Sequence, residues 1–187
     1  MRNERHLLRR DISKKLARFK RENSGLAAVE FSVLLPFMLT LFLGSVEVST
    51  AAAIHRKVML TAHTLGDLAS QSTSLSSAQI SGILSASTAI IAPYAPGGLQ
   101  STVSEVSING SGVATVVWSY SQNGTPLTVG SVVNVPASLA TPNSYLLLGQ
   151  AQYTYNPPYG YVITGPLTMS EQIFIIPRQS TSVAITS

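Results

Sequence analysis

The sequence predicts an α+β fold: a long N-terminal transmembrane helix that continues as a stalk, a short second helix, and an antiparallel β-sheet. Residues 31–46 carry no charge, and the apolar residues that follow keep helical spacing. From Leu99 onward the pattern changes to alternating and β-branched segments with Asn-Gly turns. We therefore expect a leader at residues 1–25, a transmembrane and stalk helix at 26–72, and an exported α+β domain at 73–187.

Positive charge is concentrated in the leader. Nine of the 12 Lys and Arg precede residue 26, so the remainder of the chain is weakly acidic although the net charge is +4. A nucleic-acid-binding face needs basic residues clustered on a folded domain, and this distribution argues against nucleic acid as a partner. Charged residues are only 11% of the chain, against about 25% in soluble domains. We therefore expect that part of the chain lies in lipid and that uncharged polar side chains cover the domain.

The apolar run is long enough to cross a bilayer. Residues 31–46 span roughly 24 Å, and residues 26–53 span roughly 42 Å, against a hydrocarbon core of about 30 Å. Because basic residues stay on the cytoplasmic side, the C-terminal domain is predicted to be translocated. Pro36 lies inside the span and is predicted to kink the helix, unless it is simply a tolerated membrane proline.

Glu47 ends the uncharged run. It is expected to lie in the headgroup region, or alternatively to pair with Arg56, Lys57 or a partner subunit.

The remaining elements follow from local patterns. Residues 77–92 are predicted to form the second helix, which Pro93 ends. Five strands are predicted, at residues 103–108, 113–120, 129–135, 145–155 and 167–176. The last ten residues are polar and are expected to fray.

Five tyrosines lie in a short stretch after residue 144, and they allow two interpretations. Side chains with an apolar body and a polar tip favour interfaces, so these residues could contact other subunits or carbohydrate. The preferred interpretation is strand packing followed by a Pro-Tyr loop. The tyrosines are Tyr145, Tyr153, Tyr155, Tyr159 and Tyr161. Trp118 is expected in the core.

No catalytic or metal-binding set is recognisable. The chain has no cysteine, which excludes disulfides, thiolate metal sites and cysteine nucleophiles. His63 and Asp67 are four residues apart on a predicted helix, but no further ligand supports a metal site, and a solvated helix face is preferred. No G-x-S-x-G elbow or Gly-rich phosphate loop is present. We expect a protein that is not an enzyme and needs no metal or cofactor.

The most informative segment joins the basic leader to the apolar run. A carboxylate costs about 2.5–3.5 kcal/mol at the centre of a membrane helix and less near the interface, so Glu30 calls for a partner. Cleavage between Gly25 and Leu26 would create a charged amine four residues from Glu30, on the same side of a helix. Gly25 suits a scissile position because it lacks a Cβ and lets a protease approach the backbone.

These residues resemble the signature of TadE-like proteins (TadE and TadF), which are minor pseudopilins of the tight-adherence (Flp, type IVc) pilus. The pattern is an RxxxG leader end, here residues 21–25, then AVEF at residues 28–31 and LLP at residues 34–36. The resemblance covers roughly residues 18–65. Phe31 departs from the tyrosine of the major Flp pilin, and the chain is longer than that pilin, so the resemblance favours a minor, assembly-associated component.

The resemblance implies partners, processing and location. A prepilin peptidase would cut between Gly25 and Leu26, and Glu30 would match the fifth-position glutamate of mature pseudopilins. The new amine that we expect to pair with Glu30 would belong to the same chain or to a neighbouring subunit. Other pilus subunits, the inner-membrane assembly platform and membrane lipid are the further implied partners. The protein would be a single-pass, pilin-like protein of the bacterial inner membrane, with a cytoplasmic N-terminus and a C-terminal domain in the periplasm or in an extracellular pilus.

Two alternatives remain open at this point. Residues 51–53 are three alanines that resemble an ordinary signal-peptide cleavage site, which would make the protein a secreted or membrane-anchored periplasmic binding protein. An anchored periplasmic enzyme is the other alternative, although it lacks a recognisable catalytic set.

Overall fold

The structure is a computed structural model that describes residues 24–186. The predicted leader lies outside the described residues, apart from its last two. The described residues divide into two units, the first ending at Val46 and the second beginning at Glu47. The elements, in chain order, are α1 (Ser24–Ser70), β1 (Ser74–Ser76), α2 (Ser77–Ile91), a 3-10 turn (Pro96–Gly98), β2 (Leu99–Ile108), β3 (Ala114–Gln122), β4 (Val132–Val133), β5 (Ser144–Tyr155), β6 (Leu167–Ile175) and β7 (Ala184–Thr186).

This order confirms the predicted α+β fold class: a long apolar helix, a short helix and an antiparallel sheet. The boundaries at residues 26–72 and 73–187 stay a prediction.

In the first unit, the described residues are all helical. Within the described part of the chain, one helix is long and apolar enough to cross a membrane, and it is α1. Helix α1 is continuous through Pro36, and the hydroxyl of Thr40 donates a hydrogen bond of 2.8 Å to the Pro36 carbonyl. The predicted kink at Pro36 stays a prediction.

In the second unit, a five-stranded sheet has the order β4-β3-β2-β5-β6, and its neighbouring strands are antiparallel. The loop between β2 and β3 is closed by Asn109, whose side-chain oxygen accepts hydrogen bonds of 2.9 Å from the backbone N–H groups of Ser111 and Val113. The Asn109 side chain stabilises this loop because it accepts hydrogen bonds from backbone N–H groups that have no strand partner at the end of the hairpin.

The third predicted strand is wrong over most of its length, since β4 contains only Val132 and Val133. Apolar residues on either side of β4 cover the sheet. Leu127, Val135 and Leu139 pack against a cluster of buried residues that includes Val106 and Leu148. Burial of these apolar side chains stabilises this covering segment in its position over the sheet.

The expectation that the last ten residues fray is also wrong. Strand β7 pairs in parallel with β1, Leu75 opposite Ile185. Val183, just before β7, is fully buried in a core cluster with Leu75 and Trp118. Burial of the few apolar side chains in this polar segment stabilises the C-terminal strand on the rest of the unit.

The part of α1 in the second unit packs on one face of the sheet. Its inward residues, at helical spacing, are Ile54, Val58, Ala62, Leu65 and Ala69. Contact is closest at Gly149 of β5, where a Cβ would lie 2.3 Å from the Ala62 carbonyl oxygen and 2.9 Å from the Gly66 backbone nitrogen. A residue without a side chain is therefore required where helix and strand backbones meet.

Helix α2 is fixed at both ends. Ser76 and Gln79 form a capping box, in which each side chain bonds the backbone N–H of the other. At the other end, the Lys57 ammonium donates hydrogen bonds to the carbonyls of Ile90 (2.9 Å) and Ala92 (2.6 Å). A cation at a helix C-terminus also interacts favourably with the helix dipole, so Lys57 ties α2 to α1.

The opposite face of the sheet is divided in two. On one part, the cluster around Leu148 lies under the covering segment. On the other part, polar side chains line a shallow depression: Gln100, Thr102, Gln150 and Gln152. These side chains are uncharged, which agrees with the low charge content of the chain.

Candidate functional site

The residues predicted as functional all lie on the apolar part of α1. Leu26 is 62% exposed and Phe31 is 57% exposed, and the large apolar side chains between them and Phe42 are exposed as well. Burying such a surface is favourable by about 25 cal/mol per Å². This segment therefore presents a continuous apolar surface suited to lipid or to a partner helix.

The proposed processing site lies at the start of the described helix. Gly25 is exposed, and apart from its own helix backbone no described atom lies within 4 Å of the position that a Cβ would take. Leu26 and Glu30 are four residues apart on α1, and this spacing places them on the same helix face. The pairing of Glu30 with an amine on Leu26 stays a prediction.

Glu30 is exposed, and its carboxylate has no hydrogen bond or ion pair with any residue between 24 and 186. The adjacent Phe31 is exposed too, so the pair offers a charge beside an aromatic ring. A carboxylate is costly next to lipid, so the expected partner for Glu30, a new amine or another subunit, stays a prediction.

Glu47 is in the opposite situation. It is 1% exposed, and its carboxylate accepts three backbone hydrogen bonds: from Tyr161 (3.1 Å), Val162 (3.0 Å) and Ile163 (3.2 Å). Successive N–H groups that converge on one anion form a backbone nest. Glu47 therefore does not pair with Lys57, which caps α2 instead.

The nest belongs to the loop between β5 and β6, residues 156–166, which we call the β5–β6 loop. Gly160 and Gly165 adopt positive φ angles of 65° and 102°, which glycine tolerates at little cost. Ile163 packs against the core cluster that contains Ile54 and Val58. The loop is thus held by a carboxylate and by an apolar anchor.

The structure separates the five tyrosines. Tyr153 and Tyr155 are buried in the core, whereas Tyr159 and Tyr161 are exposed on the β5–β6 loop. Strand packing followed by a Pro-Tyr loop is confirmed. Sequence reasoning missed the link between this loop and Glu47, because the carboxylate and the nearest of its donors are 114 positions apart in the chain and no short motif joins them.

Of the other polar side chains on α1, His63 is exposed, while Asp67 and His55 have partners in the structure. Asp67 pairs with Arg178 and accepts a hydrogen bond from Gln71. His55 lies 3.4 Å from a carboxylate oxygen of Glu171. No group of three metal-ligating side chains occurs among residues 24–186. These contacts tie helix α1 to β6 and to the segment that follows β6.

A buried carboxylate lies in the sheet at Glu105, which is 2% exposed. It accepts hydrogen bonds from the Trp118 indole N–H (3.1 Å) and from the Val183 backbone N–H. The Trp118 N–H also donates to the Val183 carbonyl at 2.8 Å. Burial raises the pKa of Glu105, although its two donors act in the opposite direction.

Comparison with known families addresses the apolar helix directly. Residues 25–70 match the family model described as TadE-like protein. This is a TadE-like segment. The match confirms the resemblance that Glu30 and the apolar run predicted; it begins at Gly25 and ends at the last residue of α1. No curated protein and no solved structure matches the chain.

The TadE-like segment indicates a structural component associated with a tight-adherence pilus. Its apolar half fits a single-pass membrane anchor. The strands and helix α2 lie outside the matched residues.

Proposed function

We propose that this chain is a minor pseudopilin: a structural, non-enzymatic component of a tight-adherence type IV pilus, processed between Gly25 and Leu26 by a prepilin peptidase. The observation that carries the proposal is the TadE-like segment, which begins at the proposed cut and includes Glu30. The partners are the peptidase, other pilus subunits, the inner-membrane assembly platform and membrane lipid.

The location of Glu30 supports a role in assembly. Its carboxylate has no partner among the described residues, and cleavage supplies a cation, the amine of Leu26, on the same helix face. That amine can pair with Glu30 of its own chain or of a neighbouring subunit. Phe31 adds an exposed apolar contact beside this pair.

The distribution of charge along the chain supports an orientation in the membrane with the N-terminus in the cytoplasm. Nine basic residues precede the apolar run, and only Arg56 and Lys57 follow it closely. The positive flank stays in the cytoplasm. The N-terminus therefore lies in the cytoplasm of the bacterial cell, and the second unit lies in the periplasm or in an extracellular pilus.

Sequencing the N-terminus of the protein extracted from membranes tests the proposal. In cells with an active prepilin peptidase we expect a mature chain that begins at Leu26. Gly25→Val adds a branched side chain at the scissile position and is expected to leave the leader attached, whereas Ala27→Val, two residues away and also exposed, is expected to be processed. An intact leader on the unaltered protein in such cells contradicts the proposed processing.

A cut after the alanines of residues 51–53 is not favoured. Ala51 and Ile54 are buried in a core cluster, and Glu47 holds the β5–β6 loop. Cleavage there would remove Glu47 and Ala51 from the second unit. A mature chain that begins at Ile54 and is found free in the periplasm would support a secreted binding protein instead.

A further inference from the structure

We propose that the β5–β6 loop is a membrane-surface loop, whose Tyr159, Tyr161 and Val162 side chains insert into the lipid interface on the side where α1 leaves the bilayer. The proposal rests on the membrane-anchor part of the proposed function, and it is independent of processing and of pilus assembly.

The depth of the loop follows from Glu47. This residue is the first charge after the uncharged residues 31–46. The cost of a charge is highest at the bilayer centre and falls toward the interface, so Glu47 marks the depth at which α1 leaves the hydrocarbon. Three loop amides lie within 3.2 Å of its carboxylate oxygens. The loop is therefore at the same depth, whichever way the rest of the second unit is turned.

The composition of the loop suits that depth. Residues 156–166 contain no charged side chain. Tyr161 is 63% exposed and Val162 is 53% exposed. Tyrosine has an apolar ring and a polar hydroxyl, and it is enriched where hydrocarbon meets water. These side chains would face water unfavourably on an ordinary surface loop, but they match a lipid interface.

The loop is held so that these side chains stay outward. The Glu47 hydrogen bonds fix the backbone from Tyr161 to Ile163, and the Ile163 side chain packs into the core. Alternation along the chain then turns Val162 away from the core, as its exposure shows. Pre-organisation of this kind lowers the entropy that insertion would otherwise cost.

Lipid is favoured over a protein partner because the chain's own helix brings the loop to the bilayer surface. A protein partner would have to compete with lipid for that place. The Glu47 carboxylate is already satisfied by three donors, so it makes no demand for a cation from a partner.

The absence of cysteine from the chain allows single-site labelling. Three variants of the full-length protein are labelled with an environment-sensitive fluorophore and reconstituted in phosphatidylcholine vesicles. Val162→Cys reports on the loop, and Leu39→Cys reports on the middle of the uncharged run. Ser111→Cys is the control, because it is exposed and lies beyond Ile108, at the end of β2 opposite to the β5–β6 loop and about 30 Å away along the strands.

The depth of each label is measured from how strongly its fluorescence is quenched by quenchers placed at three depths. We expect the Val162 label to be quenched most by a nitroxide at the lipid headgroup or upper acyl chain, with blue-shifted emission. The Leu39 label is expected to be quenched most by a deep nitroxide, and the Ser111 label by iodide in water. If the Leu39 label lies in lipid while the Val162 label lies in water, this proposal is wrong and the membrane anchor stands.

Two other outcomes also overturn the proposal. A Leu39 label in water removes the membrane anchor, and with it both proposals. A Val162 label shielded from lipid and iodide alike would mean that a protein surface, such as a second copy, covers the loop.

The role of Glu47 is tested in the Val162→Cys background. Glu47→Ala removes the acceptor of three N–H groups, so the label is expected to lose its defined depth and to become more accessible to iodide. Ser49→Ala changes an exposed side chain two residues further along α1 and is expected to leave the quenching profile unchanged. An unchanged profile in Glu47→Ala would contradict the claim that this carboxylate positions the loop.

Discussion

At the scale of single residues, the two carboxylates that border the uncharged run have opposite environments. Glu30 is exposed and has no partner within the described chain, whereas Glu47 is buried and accepts three backbone hydrogen bonds. The physical chemistry of a carboxylate near lipid is the same in both places. What differs is that the fold supplies donors to Glu47, whereas for Glu30 we propose that an assembly supplies them.

The buried carboxylate Glu105 makes stability depend on pH. Burial raises the pKa of Glu105 above the ordinary value of 4.5, so the folded state binds this proton more tightly than the unfolded state does. The contribution of Glu105 to stability is therefore complete below about pH 4.5 and is lost as the pH rises through the folded-state pKa.

We expect Glu105→Gln to remove this part of the pH dependence. The urea midpoint of the unaltered protein should fall relative to that of the variant as the pH rises from 4 to 8. The variant should be less stable overall, by about 1–3 kcal/mol, because its amide oxygen accepts from only one of the two donors, Trp118 and Val183, while its NH2 group faces the other. Trp118 is the only tryptophan, so its fluorescence follows unfolding. Parallel pH profiles of the two proteins would contradict this account.

At the scale of elements, the contact between α1 and β5 depends on the absence of a side chain at Gly149. The Ala62 carbonyl oxygen and the Gly66 nitrogen occupy the space that a Cβ would need. Backbone atoms within a helix cannot move independently, so relief requires that the whole helix shift from the sheet.

Gly149→Ala is therefore expected to destabilise the second unit by about 1–3 kcal/mol, the usual cost of overpacking. Gly82→Ala is the matched control: Gly82 is in the interior of α2, and nothing lies within 4 Å of its missing Cβ. That change should stabilise by about 0.5–1 kcal/mol. Thermal unfolding of the two variants checks both signs, and equal melting temperatures would mean that the helix yields without cost.

Sequence patterns predicted some helices and strands accurately and others poorly, for a physical reason. Helix α2 and strands β3, β5 and β6 carry their own local periodicity, so their bounds agree with the prediction within two residues. The segment around Val132 is apolar because it covers the sheet, and local pattern does not distinguish this from pairing within it. Strand β7 is short and polar at its flanks, and it depends on a partner far along the chain.

At the scale of the whole molecule, the part of the candidate site formed by neighbouring residues in the sequence could be predicted. The part formed by residues far apart in the sequence could not. Gly25, Leu26 and Glu30 lie within six consecutive residues, so spacing alone related them. The Glu47 nest required the fold, because its donors are the backbone N–H groups of a distant loop and any sequence supplies such groups.

The assembly role proposed for Glu30 also belongs to this scale. Glu30→Ala removes an exposed charge from an apolar helix, so membrane insertion should be unchanged or improved. Pilus formation, or recovery of the subunit in complexes after membrane solubilisation, should be abolished. Glu30→Gln separates charge from shape, and it is expected to fail as Glu30→Ala does if an amine is the partner. Normal pili in the alanine variant would exclude the pairing.

The long-range contacts of the second unit have a consequence for biosynthesis. Tyr161 bonds to Glu47, Arg178 donates its backbone N–H to the Ser70 carbonyl, and Val183 bonds to Glu105. These closures depend on residues that the ribosome makes last, whereas the apolar helix is made early. In the orientation proposed above, the second unit would therefore cross the membrane before it could fold, because the residues that close it follow the apolar helix in the chain.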